Sequence, residues 1–251
     1  MTPPIYDRVA LIGLGLIASS MAHAMKQFGL VGEIVGYAKT EETRRVALEI
    51  GICDRVFGSA AEAVQGADLV VLAVPVGAMA EIAAEIGPHL AQGACVTDVG
   101  SVKQAVIAAV GPHIHEGVAF VPAHPLAGTE HSGPRSGFAT LFQNRWCLLT
   151  PTDQSTPESI ARLRRLWEAM GSNVDEMDAP HHDLVLAVVS HTPHLIAYTI
   201  QHAPLYPWLR TGNPRQIMVV NDNSLAVIRV DIHLLHLLSI NRGKHSKQMG
   251  C

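Results

Sequence analysis

The stretch "RVALIGLGLIA", Arg8 to Ala18, restricts the fold of this chain more than any other. A β-branched apolar run passes without a spacer into Gly13-Leu14-Gly15-Leu16-Ile17-Ala18 and then into residues of helical period. G-x-G-x-x-A has meaning only in that strand-turn-helix setting, which is met here. Gly13 permits the tight turn, Gly15 lets the backbone approach a pyrophosphate, and Ala18 is small enough for the helix to pack on the sheet. Free amides and the helix dipole then hold the phosphates.

The alternation continues. "EIVGYA", "DLVVLAVP", "ACVTDVG" and "GVAFVPAHP" read as strands, and "LIASSMAHAMKQFG", "TEETRRVALEIG", "GAMAEIAAEIG" and "VKQAVIAAVG" as helices. Several of these helices end in a glycine placed as a left-handed C-cap. Repeated βα units imply an α/β fold with a doubly wound, Rossmann-type parallel sheet. "RWCLLTP" and "NVDEMD" add candidate strands around an amphipathic helix opened by Thr156 and Pro157. At about Ala179 the pattern changes to a long apolar helix candidate, "APHHDLVLAVVSHTPHLIAYTI". The expected organisation is a dinucleotide-binding domain over 1–178 and a shortened α-helical second domain over 179–251.

Hydrophobic residues at 48% and charged residues at 16% suit buried parallel strands sheathed in helices. A net charge of −4 offers no footprint for nucleic acid, and no basic cluster or ~20-residue apolar span points to a membrane. Cys53, Cys95, Cys147 and Cys251 are too scattered for a zinc knuckle or a disulfide framework, so a reducing cytoplasm is expected. A small-molecule ligand is the default partner.

The second strand ends in "VGYAKT", with Ala38, Lys39 and Thr40 where an acid would chelate the ribose 2′-hydroxyl of NAD. A 2′-phosphate would meet no repulsion there. Lys39 and Thr40, with Arg44, are candidate contacts, which favours NADP or dual use; a solvated lysine is the alternative. Two further stretches lie beyond strand ends. "TDVGSVK" carries Ser101 at the start of a helix, as an N-cap or a site residue. "PAHPLAGTEHSG" carries His124 at a strand end ahead of a Pro-Gly-rich loop, as a structural histidine or a base. Removing hydride from an alcohol carbon needs a base for the hydroxyl proton, and imidazole titrates in the right range.

Taken together and in this order, "GLGLIASS", "GYAKT", "LAVPV", "TDVGSVK", "AHPLAGTEHSG" and "SHTPHLIAY" closely resemble the prephenate/arogenate dehydrogenase family of tyrosine biosynthesis. The resemblance runs from about Arg8 to Tyr198. It implies NAD- or NADP-dependent oxidative decarboxylation of prephenate to 4-hydroxyphenylpyruvate or of arogenate to tyrosine. It implies cofactor contacts from Gly13, Gly15, Leu16, Ile17, Ala38, Lys39, Thr40, Val74, Pro75 and Ser101. His124 takes the base role, Ser101 binds the same substrate hydroxyl, and Thr129, Glu130, His191 and His194 line the substrate pocket. A homodimer built by the second domain is also implied. A β-hydroxyacid dehydrogenase or imine reductase would present a lysine on the interdomain helix, and none lies between His181 and Gln201. His181, His182, His191 and His194 offer a metal reading, since two histidines at i, i+3 share a helix face, but no cysteine is near and no metal site is expected.

After Tyr198 no counterpart of the family's "FRDFTRIA"-like segment is visible. From Thr199 on, six Lys/Arg face two acids, +4 against −8 for the rest. A frameshift, a truncation or genuine divergence would account for it. An impaired, cofactor-binding remnant of the enzyme is the alternative function.

Overall fold

A computed structural model of the chain describes residues 3–188. The elements are β1 (Tyr6–Ile12), α1 (Leu16–Gln27), β2 (Val31–Tyr37), α2 (Glu41–Glu49), β3 (Arg55–Phe57), α3 (Ala60–Val64), β4 (Leu69–Leu72), α4 (Met79–Ile86), β5 (Cys95–Asp98), α5 (Gln104–Val110), β6 (Ala119–Phe120), β7 (Ala123–Pro125), β8 (Trp146–Leu149), α6 (Pro157–Ala169), β9 (Asn173–Glu176) and α7 (Ala179–Leu186). A compact unit closes over Met1–His182.

Six parallel strands form one sheet in the order β3-β2-β1-β4-β5-β6. The chain runs outward from β1 in one direction and from β4 in the other, so the crevice beyond their carboxyl ends is the switch point where ligands bind in such sheets. Both faces are covered. Along β1, Val9 and Leu11 face a core completed by α1 and α6, with Met21, Met25 and Trp167. Ala10 and Ile12 face the other core, against Ala63, Met79 and Val106 of α3, α4 and α5. Period-two alternation with both faces apolar is why these strands are continuous hydrophobic runs.

The doubly wound expectation holds, with three differences in detail. "GVAFVPAHP" is two strands, not one: β6 ends the parallel sheet at Phe120, and β7 begins a second sheet, β7-β8-β9, in which β7 and β8 are antiparallel. Pro122, with no N–H for a ladder, stands between them. β3 and α3 are additions, too short to register as periodic runs; Ser59 caps α3 by accepting from the Glu62 N–H. Glycine closes α1, α2 and α6 with positive φ at Gly29, Gly51 and Gly171. Gly87 after α4 and Gly111 after α5 stay right-handed and lead into tight turns. At Gly87 the reason for glycine is contact: an added Cβ would lie 2.6 Å from the His113 carbonyl oxygen.

Thr156 opens α6 with a capping box shared with Ser159, as its sequence suggested. The long helix expected from Ala179 begins as α7, and residues beyond 188 lie outside the described part. Among the described residues no helix is long and apolar enough to cross a membrane.

Candidate active site

The β1–α1 turn has the shape a pyrophosphate requires. Gly13 has φ +97°, and a Cβ on it would lie 2.6 Å from the Ala73 carbonyl oxygen, so the turn can cross the end of β4 only as glycine. Gly15 occupies the N-cap of α1 and has nothing within 4 Å of where a Cβ would stand. No side chain caps α1 and no acid sits in its first turn. The opening N–H groups, with Leu16 and Ile17 at the start, are therefore presented to space that a side chain at Gly15 would fill. Ala18 is wholly buried against the sheet. This turn fits a dinucleotide.

At the end of β2, Ala38 is buried while Lys39 and Thr40 are exposed. Thr40 has a structural task, capping α2 by accepting from the Thr43 N–H at 3.3 Å. Arg44 turns back and donates to the carbonyls of Ala38 at 2.6 Å and Lys39 at 3.3 Å, shaping the loop from beneath. Among residues 38–40 there is no carboxylate. Glu42, in the first turn of α2, is hydrogen-bonded by Arg45, which holds its carboxyl below the usual range. Val74 and Pro75 follow β4 after Ala73, with the Val74 backbone nitrogen against Gly13.

Beyond β5 the chain builds a buried polar knot. Asp98, fully buried, accepts from the Gly100 N–H at 2.7 Å, from Lys103 Nζ at 2.5 Å and, through its other oxygen, from the Ala123 N–H at 3.2 Å. Lys103, also fully buried, donates to the Ala123 carbonyl at 2.7 Å. Burial pushes the Asp98 carboxyl above the ordinary value, against the pull of the Lys103 ammonium and the two backbone donors. Ser101 lies on the loop between them and is exposed. α5 starts only at Gln104, with Lys103 in the cap position, so Ser101 does not play the N-cap role its place in the sequence allowed.

His124 is the middle residue of β7, paired with Leu148, and only 8% exposed. Its Nδ1 lies 2.9 Å from Nε2 of His182, on α7. The loop that follows returns to the dinucleotide turn: the Ser19 hydroxyl donates to the Pro134 carbonyl at 2.6 Å, and Ser20 accepts from the Phe138 N–H at 3.2 Å. Within that loop Thr129 accepts from the His131 N–H at 3.2 Å, and exposed Glu130 approaches the His131 ring at 3.3 Å. His191 and His194 lie outside the described residues, as does the stretch after Tyr198. Among the described residues no group of three metal-ligating side chains comes together.

The sequence motifs did not single out Asp98, Lys103, Ser19 or Ser20, and they raised His182 only as a metal ligand, not as a partner of His124. One signal was present: opposite charges five residues apart in an apolar context, since a buried charge must be paired.

Residues 21–176 match the family described as prephenate dehydrogenase, nucleotide-binding domain. The cyclohexadienyl dehydrogenase of Zymomonas mobilis is 42% identical over 196 residues, covering 78% of this chain and 67% of that protein. The prephenate dehydrogenase of Bacillus subtilis is 33% identical, covering 92% of this chain and 64% of that one, a match too long to stop at Tyr198. The chain thus spans about two thirds of the length of these curated relatives. Among solved structures, prephenate dehydrogenase from Aquifex aeolicus in complex with hydroxyphenyl propionate and NAD+ superposes with TM-score 0.73 at 31% identity, over 83% of this chain and 71% of that one.

Proposed function

The chain belongs to the prephenate dehydrogenase family, and from that membership we propose that it catalyses dinucleotide-dependent oxidative decarboxylation of prephenate, arogenate or both. The observation that carries the reading is the double tie on Ala123. Asp98 takes its N–H and Lys103 its carbonyl, so the Ser101 loop and the His124 strand, the two chemical motifs, are held together beyond the sheet.

Gly13, Gly15, Leu16 and Ile17 would hold the cofactor's pyrophosphate, Ala38, Lys39 and Thr40 its adenosine ribose, and Val74, Pro75 and Ser101 its nicotinamide end. When bound, it supplies the hydride acceptor. With no acid at 38–40, a 2′-phosphate would meet no repulsion and Lys39 would donate to it, which favours NADP or dual use.

His124 acts as the general base on the ring hydroxyl, and Ser101 hydrogen-bonds the same oxygen and fixes its direction. The 8% exposure of His124 keeps bulk water from competing for the proton. Loss of the ring carboxylate as CO2 aromatises the product. The substrate brings the driving force, and the protein contributes positioning and one proton acceptor. Thr129 and Glu130 border the substrate from the loop pinned to α1 by Ser19 and Ser20; the family resemblance adds His191 and His194, which lie outside the described residues. The family resemblance adds a homodimer to this reading, and the buried thiols of Cys53, Cys95 and Cys147 suit a reducing cytoplasm.

The test is NAD(P)H formation by the purified chain with prephenate and, separately, arogenate, beside dinucleotide binding measured by fluorescence. Turnover of either substrate supports the assignment. Binding without turnover of either would identify a chain that keeps only the dinucleotide half.

A further inference from the structure

His124 and His182 are fifty-eight residues apart in sequence and meet edge to face, with ring centroids 5.1 Å apart and planes inclined at 62°. A 2.9 Å separation between Nδ1 of one and Nε2 of the other admits one hydrogen between them, so one ring donates and the other accepts. The direction matters. If His182 donated, neutral His124 would carry its own hydrogen on Nε2 and have no lone pair there to offer a substrate. If His124 donates, Nε2 is basic.

We infer that His182 is a positioning residue: it accepts from the Nδ1–H of His124, fixes the tautomer that is basic at Nε2, and stabilises the imidazolium when the substrate proton arrives. The inference rests on the dehydrogenase reading, since the need for a base at Nε2 is what selects the direction of the shared hydrogen. His182 is built for a fixed geometry. It is wholly buried, and its backbone N–H donates to the Asp178 carbonyl at 2.9 Å, while the Asp178 side chain takes the His181 N–H at 2.7 Å and starts the helix. An acceptor with so little room to move keeps the His124 ring from swinging about its side-chain torsions.

Nearby charged and titratable groups, among the described residues, have their own tasks or stay neutral. Asp98 and Lys103, behind β7, bind each other. Burial drives the Cys147 thiol on β8 well above its ordinary value, so it stays neutral. Asp178 is used as the helix cap. His182 is thus the neighbour whose hydrogen-bonding state follows that of His124.

Nitrogen-15 NMR of the full chain with labelled histidine, with the His124 signals identified by their loss in His124→Asn, reads the arrangement directly. In the unmodified protein at high pH, Nδ1 of His124 should appear protonated and Nε2 unprotonated; the opposite tautomer overturns the proposal without any variant. His182→Phe, which keeps the ring and removes the acceptor, should lower the His124 pKa by about one unit and mix the tautomers. It should reduce kcat about 30-fold, displace the pH profile, and leave dinucleotide Kd unchanged. His182→Gln, whose carbonyl can accept, should recover part of both effects. An unchanged His124 titration in folded His182→Phe would sink the inference. Absence of turnover in the unmodified chain would overturn the dehydrogenase reading while the NMR result stood.

Discussion

Lys103 and Asp98 form an ion pair with no solvent exposure on either side chain, and both partners also hold the backbone of Ala123. A buried pair need not stabilise relative to apolar residues, but breaking one side leaves an uncompensated buried charge. Lys103→Met should therefore destabilise the fold by about 3 kcal/mol in urea unfolding, softened by protonation of Asp98, whose carboxyl burial already pushes up. Adding Asp98→Asn to Lys103→Met should recover a measurable part of that loss. A single-variant cost under about 0.5 kcal/mol would show that the pair does not carry the β5–β7 junction.

The two glycines of the first turn should fail in different ways. Gly13→Ala combines φ +97° with a Cβ 2.6 Å from a carbonyl oxygen, so it should cost about 2–3 kcal/mol of stability. Gly15→Ala places its methyl in open space with φ −88°, so the fold should be unaffected while dinucleotide Kd rises at least about tenfold. Thermal melts and fluorescence titrations separate the two. Tight dinucleotide binding by folded Gly15→Ala would remove the pyrophosphate from this turn.

The parts of this architecture visible in the sequence are those with a local cause. β1, β2, β4 and β5 each carry a run buried on both faces and so mostly apolar, and the first turn needs glycine at positions 13 and 15 for two separate reasons. β3 escapes because three residues at a sheet edge show no period. The split at Pro122 was masked because "AFVPAHP" remains apolar across the change of sheet, and only pairing distinguishes β6 from β7. Within the site, His124 and Ser101 stand out as polar residues at the ends of apolar strands. Asp98, Lys103 and His182 do not, because their roles depend on contacts made across the fold, with Ala123 as much as 25 residues from Asp98 and His182 58 from His124.

His124→Asn retains a polar side chain of smaller size but cannot accept a proton at neutral pH. Loss of a general base lowers rate by ~100- to 10,000-fold, so kcat should fall in that range. The dinucleotide contacts come from other segments, and Kd for NAD or NADP should stay within about twofold. Stopped-rate assays beside fluorescence titration give both numbers, and an undiminished kcat would exclude His124 as the base.

Alkaline pH should destabilise this unit through groups its core keeps neutral. Burial pushes the thiols of Cys53 and Cys95 up to about 12, drives Cys147 well above its ordinary value, and raises the Tyr6 hydroxyl as well. In each case the folded state favours the protonated form, while the unfolded chain releases its thiol protons near pH 8.5 and its tyrosine proton near 10. The stabilisation these groups give is therefore complete below about pH 8.5 and declines as pH rises toward the folded values. One unit above the free thiol value, each thiol forfeits about 1 kcal/mol, and Tm should fall by roughly 5–10 °C between pH 7.5 and 9.5. Over the same range iodoacetamide should leave Cys53, Cys95 and Cys147 unmodified in the folded protein, since alkylation needs an accessible thiolate. A Tm that holds constant to pH 9.5, or labelling of these thiols ahead of unfolding, would contradict the burial that raises them.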